Sequence, residues 1–208
     1  MSRYVGPKCR LCRREGVKLF LKGSRCDSIK CAIAKRAHPP GEHPWARKKR
    51  SEFGLQLREK QKAKRTYGLY EKPFRRLFAD AERFKGNTGE NMVQLLERRL
   101  DNFVYLAGFA YSRSTARQMI VHGHILVNGR RSRTPSIRLR VGDVVTVSER
   151  EKSRKMVELV YGTTKARGVP AWIEVDHAAY EARVGSLPKR EEASLELQEQ
   201  LIVEFCSK

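Results

Sequence analysis

The sequence predicts an α+β protein: a basic N-terminal knuckle of four cysteines, a mostly helical domain, and, inserted in it, a small module of two helices and a twisted sheet. Three observations carry this expectation. Cys9, Cys12, Cys26 and Cys31, four of the five cysteines, crowd the N-terminus. From Ser51 to Ile120 apolar residues recur at helical spacing, and after it short apolar runs alternate around turn dipeptides. The expected boundaries are 1–50 for the arm with its Pro-rich loop, 51–96 for the helical domain and 97–150 for the module. Residues 151–208 are expected to pack back on the helical domain.

Charge narrows the class of partner. Of 208 residues, 44 are Lys or Arg and 23 are Asp or Glu, a net charge of +21. Such an excess repels itself in a compact state unless a polyanion offsets it. Nucleic acid is favoured over an anionic membrane, because no apolar run approaches the roughly 20 residues that span a bilayer. The start, "MSRYVGPKCRLCRREG", lacks the apolar stretch of a secretory signal. It is basic and acid-poor like a transit peptide, yet early cysteines and a proline do not suit an amphipathic transit helix. A cytoplasmic location is expected, and in a reducing compartment clustered cysteines more often mean metal than disulfide. Residues 1–66 hold 20 basic and 5 acidic residues, so polyanion contact should be densest there. The stretch 176–208 holds 4 basic and 7 acidic residues and should not face phosphate.

The elements follow in order. "HPPGEHPWARKKR", His38 to Arg50, is a loop, since its prolines deny it a helix. "SEFGLQLREKQKAKRTYG" is helical with Gly68 as its stop, and so polar that a ligand should hold it better than a core. Phe74, Leu77, Phe78 and Ala81 form an apolar stripe. Thr88 can cap the next helix, which carries Met92, Leu95, Leu96, Leu100, Phe103 and Val104. Ser112 caps a short helix ending at Gly123. "HILVNGR" is a strand entering an Asn128–Gly129 hairpin turn. "IRLRVGDVVTV" reads as two more strands around Val141–Asp143. "REKSRKMVELVYG" suits a helix, whereas "GVPAWIEVD" and "EQLIVEFCSK" look like strands that could join the sheet.

The cysteine spacing, Cys9-x2-Cys12 and Cys26-x4-Cys31 separated by 13 residues, allows four thiolates to close a tetrahedron around Zn²⁺. A closed shell leaves no open position, so such a site is structural. An iron–sulfur cluster is the chemical competitor, and unligated thiols are the bland one. Cys206, alone in an apolar run, reads as a small hydrophobe. His38 and His43 read as surface turn residues, while His122 and His124 remain open between RNA contact and packing.

Candidate RNA contacts in the arm and loop are Arg3, Tyr4, Lys8, Arg10, Arg13, Arg14, Arg47, Lys48, Lys49 and Arg50. Along the polar helix they are Arg58, Lys60, Lys62, Lys64, Arg65 and Tyr67. Cations here would meet phosphate, giving affinity without reading sequence. Tyr4, Trp45 and Tyr67 could stack on splayed bases. In the module, Ser112, Arg113, Arg117 and Gln118 lie at the first turns of a helix, with Arg113 and Arg117 on one face at i, i+4. His122, His124, Asn128 and Arg130 complete the set. Carboxylates form no catalytic pair, and no P-loop, dinucleotide turn or nucleophile elbow is found, so neither an enzyme nor a small-molecule substrate is expected.

The blocks "RYVGP", "HPPGEH", "REKQKAKRTYG", "LERRLDNFVYLAGFAYSRSTARQMIVHGHILVNG" and "EQLIVEF" occur in this order over nearly the whole chain. With them the sequence resembles the bacterial small-subunit ribosomal protein S-four family, in its zinc-cysteine-containing type. The Leu96–Gly129 stretch alone is shared with enzymes that carry the same RNA-binding module. The resemblance implies direct binding to 16S rRNA at a helical junction of the 5′ domain, and nucleation of 30S body assembly. It further implies contact with ribosomal protein S-five and other small-subunit proteins, a share in decoding accuracy, and a place near the mRNA entry channel. The alternative is an RNA-modifying enzyme, such as a pseudouridine synthase, using the module as an accessory. Flanks of 96 and 58 residues are too small and too basic for that catalytic domain. A zinc-finger transcription factor would need a recognition helix, and "EGVKLFLKG" is too short for one.

Overall fold

A computed structural model describes residues 4–43 and 51–207. The chain divides into two compact units, 1–92 with 195–208, and 93–194. Residues 151–194 thus stay with the sheet-bearing unit, and only the segment from 195 rejoins the helical one.

In the first unit, helix α1 (Lys8–Glu15) ends at Gly16, whose φ of 76° suits glycine and whose N–H bonds the Cys12 carbonyl. A 3₁₀ turn (Gly23–Cys26) and the short α2 (Ala32–Lys35) complete the arm. Helix α3 (Glu52–Thr66) starts where Ser51 Oγ accepts from the Gly54 N–H. Its buried residues are Gln56, Lys60, Ala63 and Thr66, an inward stripe that is mostly polar. The partner is α9 (Glu199–Cys206), a helix where a strand was expected. Apolar runs this short do not distinguish helix from strand, and β-branched Ile202 and Val203 favoured the wrong choice. Packing decides. Gln56 donates to Glu204 (2.9 Å), Phe53 and Phe205 lie 5.3 Å apart, and Lys60 Nζ sits 4.2 Å from the Phe205 ring. Helix α3 is therefore held by α9. Helix α4 (Glu71–Glu82) buries the expected Phe74, Leu77, Phe78 and Ala81, and α5 (Thr88–Glu97) follows.

The second unit contains α6 (Leu100–Leu106) and α7 (Arg113–Val121). Then come β1 (Ile125–Val127), β2 (Arg130–Arg131), β3 (Val144–Val147), α8 (Glu151–Thr164), β4 (Ile173–Asp176) and β5 (Glu181–Val184). The strands form one antiparallel sheet in the order β2-β1-β3-β5-β4. Asn128 and Gly129, with φ of 50° and 75°, make the β1–β2 turn as expected. Residues 138–140 do not join the sheet. The Leu139 backbone instead bonds Arg98 twice, its carbonyl accepting from the Arg98 side-chain Nε (2.7 Å) and its N–H donating to the Arg98 carbonyl (2.9 Å). The sheet is completed by β4 and β5. Its core includes fully buried Leu100, Phe103, Ile120, Ile125, Leu139 and Trp172, with Phe103 and Trp172 rings 5.7 Å apart.

Candidate nucleic-acid interface

The α7 residues named from sequence separate into struts and surface. Ser112 is buried and accepts from the Thr115 N–H as N-cap. Arg113 is buried too: Nε donates to Asn102 Oδ1 (2.7 Å), Nη2 to Ser194 Oγ (2.6 Å), and the guanidinium lies 4.5 Å from the Tyr105 ring. Behind it Glu97, fully buried, accepts from Asn102 Nδ2 (2.6 Å) and from the Ser194 N–H and hydroxyl (2.9 and 2.7 Å). Arg117 Nε approaches Asp101 (3.7 Å), which Arg99 also grips through two nitrogens. The i, i+4 arginine pair therefore serves folding first. Asn128 ties the hairpin to β3, donating to Asp143 (2.9 Å) and accepting from the Val144 N–H (2.9 Å).

What this scaffold presents outward is a basic rim. Arg130, Arg131, Arg133, Arg138 and Arg140 are exposed on β2 and the loop after it, with Gln118 and His122 exposed nearby in sequence. Only Arg130 was expected from sequence. Arg131, Arg133, Arg138 and Arg140 escaped because no motif marks single arginines scattered through a hairpin and the loop after it. Burial, then the charges of Arg138 and Arg140, pulls the Arg98 guanidinium below its ordinary pKa, so these two rim arginines lie close to Arg98. The two histidines divide. Rings of His122 and His124 stack at 6.2 Å, but His124 Nδ1 bonds Ser153 Oγ (2.9 Å). Burial, with His122, Arg150 and Arg131, pushes His124 below its usual pKa.

In the arm, Cys9, Cys12, Cys26 and Cys31 line one pocket with Lys8, Leu21, Lys22 and Arg25. All four thiols are free of disulfides. The Lys22 N–H points at Cys26 Sγ (3.3 Å). Burial raises the Cys12 and Cys26 thiols, and the neighbouring cysteines raise them further. Among the described residues, no three His, Cys, Asp or Glu side chains stand close enough to hold a metal ion. The four sulfurs share one pocket without closing to a ligand shell. Several arm cations hold the arm itself: Lys8 donates to the Leu21 carbonyl (3.3 Å), Arg13 to His38 (3.0 Å) and Arg14 to Pro40 (3.2 Å). Arg10 and Tyr4 remain exposed. Tyr67 is buried at 2% exposure and is no stacking platform. Arg3, Trp45 and Arg47, Lys48, Lys49 and Arg50 lie outside the described residues.

The five α3 cations are all paired. Arg58 and Arg65 grip Glu15, which is 2% exposed, and Lys62 reaches Glu59 (3.0 Å) and the Glu196 carbonyl (2.7 Å). Lys60 (2.6 Å), Lys64 (3.0 Å) and Arg75 (3.2 Å) converge on Glu71. Burial alone would raise the Glu71 carboxyl, but these three hydrogen-bonding cations outweigh it and hold it down to about 2. A carboxyl depressed in the folded state stabilises above its ordinary pKa, and that contribution fades as pH falls towards about 2. Glu71→Gln should therefore flatten the fall of Tm between about pH 4.5 and pH 2, measured by circular dichroism.

Two family models cover the front of the chain: the ribosomal protein S4/S9 N-terminal domain over residues 3–97, and the S4 domain over residues 98–145. Small ribosomal subunit protein uS4 of Pelobacter propionicus is 54% identical over the full length of both chains. The chain belongs to the uS4 family. The same protein of Thermoanaerobacter pseudethanolicus is 54% identical and that of Geobacter sulfurreducens 51%, each again over both full lengths. In this uS4-family chain the S4-domain match stops inside β3, while the compact unit runs on through α8, β4 and β5 to residue 194. No helix among the described residues is long and apolar enough to cross a membrane.

Proposed function

We propose that the chain is a structural, non-catalytic constituent of the cytoplasmic small ribosomal subunit that binds 16S rRNA directly and nucleates assembly of the 30S body. The observation that carries this is the rim of exposed arginines on β2 and the loop after it, in a chain of net charge +21. Folded RNA is read largely by shape and backbone, which suits guanidinium groups presented to solvent. Full-length relatives named as small-subunit proteins favour this over an RNA-modifying enzyme. Contact with ribosomal protein S-five and a share in decoding accuracy belong to the same reading. In a filter assay, purified protein should retain protein-free 16S rRNA against tRNA and duplex DNA competitors. Retention that needs other ribosomal proteins would overturn primary binding.

Cys9, Cys12, Cys26 and Cys31 would hold a structural Zn²⁺, for which they would supply four thiolates. Among the described residues of the arm, Leu19 is the one fully buried apolar side chain, so little core lies there to order it otherwise. Elemental analysis should find about one zinc per chain. Iron with sulfide, or no metal, would refute this assignment.

A further inference from the structure

The outer face of α4 carries a row of cations that neither the sheet-bearing unit nor the arm accounts for. Lys72, Arg76, Ala79 and Arg83 follow at i, i+4, i+7 and i+11, so they lie within about 60° of one line along the helix. The line is about 16 Å long at the helical rise. It runs opposite the buried Phe74, Leu77, Phe78 and Ala81. Lys72, Arg76 and Arg83 are all exposed, Arg83 with 81% of its side chain in solvent.

The acids that could neutralise this row are engaged or set aside. Glu71 is saturated by Lys60, Lys64 and Arg75. Asp80 reaches Arg83 only at 3.9 Å, an exposed i, i+3 pair that leaves the guanidinium available. Glu82 projects about 80° off the line. Among the described residues, Lys72 and Arg76 make no ion pair with a carboxylate. An amphipathic helix needs polar residues on its free face, but not three cations in register beside a carboxylate that three other cations already occupy.

We propose that this face of α4 is a second RNA-binding surface, which follows the phosphodiester backbone of one rRNA strand through Lys72, Arg76 and Arg83. It rests on the rRNA-binding reading above and adds a site on the other unit. Its contacts would position the protein without reading bases, since point charges on phosphates carry no sequence information.

The test uses the full chain and protein-free 16S rRNA. The variant K72Q/R76Q/R83Q should lower the slope of log affinity against log salt by about 2 to 2.7, at roughly 0.7 to 0.9 per lost phosphate contact. Its melting curve should not move, because all three side chains are exposed. The control K152Q/K155Q/K165Q removes the same charge from exposed positions of α8 and the turn after it. An unchanged slope for the α4 variant, with wild-type binding intact, overturns the second surface alone. An equal fall in the control reduces the effect to net charge and overturns it too. Failure of the wild-type chain to bind overturns the functional reading itself.

Discussion

Arg113→Ala should destabilise the 93–194 unit by about 3–5 kcal/mol, the cost of breaking a buried, hydrogen-bonded charge. The side chain closes a circuit. It bonds Asn102 and Ser194, and Glu97 bonds the same two residues from behind. Removing the guanidinium leaves Asn102 Oδ1 short of a donor and a fully buried Glu97 carboxyl with less positive charge nearby. Arg113→Lys should rescue little, because an ammonium cannot span two acceptors while lying over the Tyr105 ring. Thermal melts measure the loss. RNA binding separates strut from ligand contact: below its melting point, the folded Arg113→Ala protein should keep the wild-type salt slope. A slope lower by about 0.8 would return Arg113 to the RNA surface.

Replacing Arg130, Arg131, Arg133 and Arg140 together with Gln should do the reverse. These side chains are exposed, so stability should change little. Salt dependence of 16S rRNA binding should fall by about 3 log units per log salt, four contacts at roughly 0.7 to 0.9 each. A variant that binds as tightly and with the same slope would move the interface elsewhere.

These paired expectations trace what was legible in the sequence. Local chemistry was. Ser112 caps its helix, Asn128–Gly129 turns the hairpin, and Phe74, Leu77, Phe78 and Ala81 form the buried stripe. Long-range pairing was not. Apart from Lys62, which pairs with Glu59 on the same helix, the α3 cations looked free because their acids, Glu15 and Glu71, lie outside that helix, and nothing local reveals an ion pair between residues 50 apart, as in Arg65–Glu15. Arg113 and Arg117 share a face as expected, yet which face is buried depends on Ser194, 81 residues away from Arg113. The Glu199–Cys206 segment carried no periodicity long enough to choose helix over strand until α3 supplied a partner. The cysteines stand between these cases. All four line one pocket as the paired spacing expects, yet no three of them close to a metal-holding distance among the described residues.

The pairing of α3 with α9 also sets an order of events during synthesis. Gln56 and Glu204 are 148 residues apart, and the whole 93–194 unit lies between them. At translation rates of about 5–20 residues per second, α3 emerges roughly 7 to 30 seconds before the helix that covers it. The sheet-bearing unit is contiguous and can complete its core while the earlier unit still waits. Throughout that interval the polar inward stripe of α3 is satisfied by water, at little cost. A leucine-lined stripe in the same place would instead present a sticky surface to every neighbouring chain.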